Sequence, residues 1–212
     1  MTVDPPLTIA SLATAVDELA ARDADLAGIV ARFGPPPLWD REPGFATLLH
    51  IVLEQQVSLA SAAAAFDRLK VTAGPLTPAG FLQLTDAELL AIGFSRQKAR
   101  YGRALAEAIE GGGLDLEALA ASDDDTVHER LQTVPGIGPW TSGIYLLMVL
   151  GRPDVWPVGD IALAAAVGEA KGLERRPGPV EMAELAEPWR PWRSVAARLF
   201  WHDYLGRRGR SG

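Results

Sequence analysis

Apolar residues recur along this chain with helical spacing almost from end to end. Phe45, Leu48, Leu49, Val52 and Leu53 stand at i, i+3, i+4, i+7 and i+8, the stripe that one buried helix face requires. Thr85 and Glu88 form a capping-box pattern ahead of "LLAI", and Gly93 supplies a stop after it. Ser95 suits the start of a further helix that runs through "RQKARYGRALAEAIE" to the Gly111-Gly112-Gly113 break. The periodicity also predicts helices over 8–33, 114–121, 123–132, 140–150, 160–170, 180–187 and 192–205. No segment alternates with period two between hairpin turns, so the expected fold class is all-α. The layout suits a central helical lobe over 38–155, with an N-terminal segment, 1–37, packing against a C-terminal lobe over 156–212. No fixed-period repeat is visible.

With 48% hydrophobic and 22% charged residues among 212, the chain can bury a substantial core. Cysteine is absent, which excludes disulfides, thiolate zinc sites and iron–sulfur clusters and fits a reducing compartment. The first residues, "MTVDPPLTIASLATAVDELAARD", have neither a basic n-region nor a continuous apolar stretch. No later run approaches the ~20 apolar residues of a membrane span. A soluble cytoplasmic protein with no membrane partner is expected.

The net charge of −7 speaks against a nucleic-acid partner, because phosphate contacts draw on Lys and Arg. Its distribution changes that picture. Acids crowd the stretch from Glu110 to Arg130, whereas "GFSRQKARYGR" carries Arg96, Lys98, Arg100 and Arg103 without an acid. From Arg190 onward, Arg193, Arg198, Arg207, Arg208 and Arg210 face Asp203 alone. Such segregation allows one basic face on an acidic protein, although solvated helix faces and a basic tail would give the same pattern.

Between two apolar segments lies "TVPGIGPWTSGIY", residues 133–145. Its glycines permit positive φ and close approach, and Pro135 and Pro139 stiffen the turn. The result is a tight hairpin of two helices, whose second helix begins with amides suited to an anion such as a phosphate oxygen. An ordinary interhelical turn would also fit this pattern. Gln56 continues the apolar stripe of Phe45 through Leu53, where a polar group is costly unless the helix ends or a partner exists. Ser58 is placed to cap the helix that follows. Asp160, just before "IALAAAV", is a natural N-cap and also a carboxylate available for chemistry. None of the three histidines is spaced like a metal-ligand pair, so no catalytic metal is expected.

Four ordered segments carry a resemblance that spans about residues 8–205. "HIVLEQQVSLASA" (50–62), "IGFSRQKARYGRALAEAI" (92–109), the hairpin with "WPVGDIAL" (156–163), and "WRPWRSVAARLFWH" (189–202) resemble the helix-hairpin-helix DNA glycosylase superfamily. Within it, they look most like the alkylation-repair enzymes called 3-methyladenine DNA glycosylase II. The resemblance implies two helical lobes around a cleft, here without the β-rich N-terminal domain of some bacterial members. It implies a monomer, cytoplasmic and nucleoid-associated, acting on double-stranded DNA with alkylated bases. Its reaction would flip out a cationic purine such as 3-methyladenine or 7-methylguanine and hydrolyse the N-glycosidic bond, leaving an abasic site.

The same resemblance assigns roles residue by residue. Asp160 is the catalytic carboxylate and Gln56 the wedge that fills the vacated stack. Trp140 and Trp201 line the base pocket, with Ile144 where some relatives have tyrosine and Tyr145 one position on. His50 and His202 are pocket-edge groups. Thr133, Gly136, Ile137, Gly138 and Thr141 hold the DNA backbone, assisted by Arg96, Lys98 and Arg100. No cofactor is implied except a monovalent cation at the hairpin carbonyls. Members that also cleave the strand use a hairpin lysine to form a Schiff base; here Trp140 occupies that position, and Lys171 lies beyond Asp160. A non-catalytic DNA-binding module and a bifunctional glycosylase/lyase for oxidised bases are the alternatives.

Overall fold

A computed structural model describes residues 4–209; Arg210 of the expected basic tail lies outside them. Every regular element among the described residues is helical. In chain order these are α1 (Ile9–Arg22), α2 (Ala24–Phe33), α3 (Phe45–Glu54), α4 (Leu59–Ala73), α5 (Pro78–Gln83), α6 (Asp86–Ala91) and α7 (Arg96–Glu110). There follow α8 (Leu116–Ala120), α9 (Asp124–Gln132), α10 (Pro139–Ile144), α11 (Ile161–Ala170), α12 (Pro179–Ala186) and α13 (Arg193–Arg207). None is long and apolar enough to cross a membrane. The chain divides into two units, one of residues 41–145 and one of residues 4–40 with 146 onward.

In the first unit, the α3 stripe is sealed as its spacing predicts: Leu48, Leu49 and Val52 are fully buried. Helix α3 packs chiefly against α4 and α7, and α7 packs in turn against α5, a helix not anticipated from the sequence. Thr77 caps it, accepting from the Gly80 amide, and Pro78 opens its first turn. Its Phe81 is fully buried, edge-on to Phe45 with centroids 5.7 Å apart. Helix α7 crosses close by because Gly102 has no side chain; a Cβ there would stand 2.7 Å from the Phe81 ring. The capping box of Thr85 and Glu88 forms as expected, as does the Ser95 cap of α7.

In the second unit α13 is the central helix, with Val195, Ala196, Ala197, Leu199 and Phe200 fully buried. Trp189 packs between Trp156 and Phe200, at centroid distances of 5.4 and 5.0 Å. The single helix expected over 8–33 is two. Asp23 breaks it by leaving the helical region (φ −134°) and accepting from the amides of Asp25 and Leu26 with its own carboxylate. The same carboxylate accepts from Trp189 Nε1 at 2.8 Å, a partner far along the chain that local pattern does not reveal.

A second departure concerns 140–150. The α-helix stops at Ile144 and Tyr145–Val149 continue as a π-helical turn. There, the carbonyls of Leu146 and Leu147 accept from the Arg152 amide and the buried Arg198 guanidinium. Burial draws the Arg198 pKa down to about 10.

Candidate nucleic-acid interface and active site

In the first unit the candidate residues gather around the end of α3 and the hairpin of α9 and α10. Helix α3 ends because its final groups are claimed from outside. The Lys98 ammonium donates to the Leu53 carbonyl, and Arg41 holds the Glu54 carboxylate through two bonds of 3.0 and 2.9 Å. Gln55 (φ −58°, ψ 124°) and Gln56 (φ 57°) then turn the chain away from α3. Gln56 is exposed, with its backbone in the left-handed region, and the neighbouring Val57 and Leu59 are also exposed. Ser58 caps α4 by accepting from the Ser61 amide.

Gln55, and not Gln56, finds a partner within the protein. Its Nε2 donates to the Gly136 carbonyl and to the Thr141 hydroxyl, both at 2.8 Å. Gly136 (φ 92°) lies against the ring of Tyr101, where a Cβ would come within 2.1 Å of ring carbon. Val134 and Ile137 are buried, and the Ile137 amide donates to the Val134 carbonyl. The two helices are also joined by His128 Nδ1 and Ser142 Oγ, 2.7 Å apart. Helix α10 starts at Pro139 without a side-chain cap, the uncapped start that the hairpin pattern predicted.

The remaining candidates of this unit differ in character. Thr133 is exposed, although its hydroxyl donates to the Arg130 carbonyl. Thr141 is 1% exposed and engaged by Gln55, so its side chain shapes the hairpin from inside. Arg96 and Arg100 are exposed on α7, but Lys98, expected beside them at phosphates, turns inward to Leu53, and burial lowers its pKa. Trp140 is half-buried and Ile144 buried. Tyr145 is fully buried; its hydroxyl has no hydrogen-bond partner, and burial pushes its pKa up to about 12. His50 stacks on Phe66 at 4.2 Å, its pKa lowered first by burial and partly restored by Glu54.

The second unit brings Asp160 and Trp201 together. Asp160 caps α11, its Oδ1 accepting from the Leu163 amide at 2.7 Å and from Trp201 Nε1 at 3.4 Å. A carboxylate at a helix N-terminus is favoured by the helix dipole, and the indole fixes its orientation. Val158 and Ile161 on either side of it are exposed. His202, one position from Trp201, is used differently: its Nε2 meets the Phe33 carbonyl at 3.1 Å, and its ring lies edge-on to Phe33 and Trp39. Lys171 is held by Asp23 and Asp25 at 3.3 and 3.0 Å, over the Trp189 ring.

The basic face expected from Arg190 onward is largely neutralised. Arg190 and Arg193 pair with Asp154, Arg207 with Asp203 and Glu169, Arg208 with Glu169, and Arg198 is buried. Their acid partners include residues distant in the sequence, so a local charge count could not reveal this. Sequence reasoning also missed Gln55 and Tyr101. The signal for Gln55 was present in the doubled glutamine at the end of an apolar stripe, which marks a helix end but not which residue turns inward.

A helical hairpin with an uncapped second helix, followed by a helix that starts on a carboxylate, on an all-helical chain, defines a helix-hairpin-helix protein. The family model of HhH-GPD superfamily base excision DNA repair proteins matches residues 49–191, and the chain belongs to that superfamily. DNA-3-methyladenine glycosylase 1 of Schizosaccharomyces pombe is 27% identical over 201 residues, covering 91% of this chain and 88% of that protein. A DNA-3-methyladenine glycosylase of Bacillus subtilis is 29% identical over 119 residues, 56% of this chain and 39% of that protein. The chain spans less than half the length of this relative and of a second from the same organism. The structure of the Schizosaccharomyces pombe 3-methyladenine DNA glycosylase Mag1 in complex with abasic DNA matches with a TM-score of 0.83 at 25% identity. That match covers 92% of this chain and 97% of the other.

Proposed function

We propose that this protein is a monofunctional DNA glycosylase that hydrolyses alkylated, cationic purines from duplex DNA and leaves an abasic site. The observation that carries the reading is Asp160, oriented by the Leu163 amide and the Trp201 indole at the start of α11. Cleavage of the N-glycosidic bond develops positive charge on the sugar. A fixed carboxylate stabilises that charge and accepts a proton from the attacking water. An N-alkylated purine is already a good leaving group, so stacking and cation–π attraction from an indole such as Trp201, beside Asp160, suffice to hold it without an elaborate general acid.

Gln56 is the wedge in this reading. Its exposure, together with exposed Val57 and Leu59, suits insertion through a minor groove. The hairpin amides, Arg96 and Arg100 hold phosphates, contacts that position the duplex without reading its sequence. A monovalent cation would add positive charge there. The Gly136 and Val134 carbonyls already accept from Gln55 and Ile137 but keep a second lone pair each. Against strand cleavage stand Trp140 at the lyase position and a Lys171 ammonium engaged by two carboxylates.

The test is base release from methylated duplex DNA, with products identified and wild type compared with Asp160→Asn. Release of alkylpurines by wild type alone supports the reading, and equal release by both sinks the role of Asp160. A DNA adduct trapped by borohydride would instead support the bifunctional alternative.

A further inference from the structure

We infer that Gln55 is a positioning residue that holds the wedge in register with the DNA-gripping hairpin. The inference rests on the wedge role proposed for Gln56. A positive φ is a backbone conformation that favours glycine. Gln56 adopts φ 57°, and such strain persists only where the surroundings over-determine it. Three ties do so, from Lys98 to Leu53, from Arg41 to Glu54, and from Gln55 to the hairpin.

These ties do different work. Lys98 and Arg41 fix the last residues of α3, before the turn begins. Gln55 is inside the turn, and its amide nitrogen spans the hairpin from the Gly136 carbonyl to the Thr141 hydroxyl. The Tyr101 ring packed against Gly136 leaves that carbonyl little freedom. The position of the Gln56 backbone is therefore set by the hairpin, not only by the end of α3. Opening a base pair while gripping the phosphates requires these two elements to keep a fixed spacing, and small displacements of a reacting constellation carry large rate penalties.

The experiment uses single-turnover release of 7-methylguanine, placed either in a fully paired duplex or in an unpaired bulge of the same strand. Gln55→Met keeps the side chain's bulk and removes both donated bonds. It should slow release from the duplex on the order of tenfold while changing release from the bulge little, because an unpaired base needs less help to leave the stack. Gln56→Ala should show the same duplex-selective loss, and the double variant should be no slower than the slower single. Equal losses on both substrates, additive losses, or unchanged release would overturn the coupling. Thermal melting shows whether Gln55→Met folds. If it does not, Thr141→Val, which removes one of the two bonds, should give a smaller loss of the same selectivity, and an unselective or absent loss counts against the proposal.

If wild type releases no base, the catalytic reading fails, and 2-aminopurine fluorescence beside the lesion still reports opening. A wild-type signal that both Gln55→Met and Gln56→Ala abolish supports the coupling. A signal that both retain, or none in wild type, overturns it.

Discussion

Asp160 and Gln56 both sit at helix ends, yet the protein holds them in opposite ways. Asp160 begins a helix, and its Oδ1 accepts at 2.7 Å from an amide three residues on. Its backbone is relaxed, and one indole from α13 adds orientation. Gln56 follows a helix, and its backbone is left-handed. It is held through neighbours whose partners lie 45, 81 and 86 residues away. A charged group that must stabilise developing charge benefits from a cheap, rigid local mount. A side chain that must project outward is set by a turn that other elements enforce.

The largest expected effect is at the local mount. Asp160→Asn should lower base release on the order of 10²–10³-fold, while DNA binding and melting temperature stay close to wild type, because asparagine caps a helix about as well as aspartate. Asp160→Ala should lose the same activity and a further ~1 kcal/mol of stability from the lost cap. A large drop in stability for Asn, measured by urea denaturation, would show that the mount is not local. The next effect strikes the long-range side. Gly136→Ala forces a Cβ onto the Tyr101 ring at a backbone angle unsuited to alanine, and should destabilise the fold by about 3 kcal/mol. A near-neutral result would mean that the hairpin yields easily.

Gln56→Gly separates strain from function. Glycine relieves the left-handed backbone, so stability should rise by about 1 kcal/mol while release from duplex DNA falls; a fall in both would show that the Gln56 side chain supports the fold. The smallest effect is on pH dependence. Burial pushes both His50 and His128 below the usual 6.5, only partly opposed by nearby carboxylates. The unfolded chain therefore binds these protons more readily than the folded one. Stability should be complete above pH 6.5, decline as pH falls from there through the lowered folded values, and then level off. His128→Gln should flatten part of that decline in a melting series, and an unchanged slope would assign it elsewhere.

Much of the fold was legible because helices are encoded over a few residues. The α3 stripe, the Thr85–Glu88 box and the Ser58, Ser95 and Asp160 caps each involve groups three or four positions apart. Helix α5 escaped because six residues give too little periodicity, and the break at Asp23 escaped because its cap, although local, falls within a stretch read as one helix; only its further partners Trp189 and Lys171 are distant. Lys98 was legible as a cation but not as the group that ends α3.

The sequence by itself determined an all-helical chain, a glycine-proline hairpin and a carboxylate at the start of α11, since each follows from backbone sterics and hydrogen bonds of short range. Tertiary structure alone decided that Gln55 turns inward and Gln56 outward, that Trp201 meets Asp160 from 41 residues away, and that Arg190, Arg193, Arg207 and Arg208 are paired with acids of the same protein. Those outcomes depend on which distant groups can satisfy a donor or a charge once helices pack, and neither spacing nor propensity carries that information.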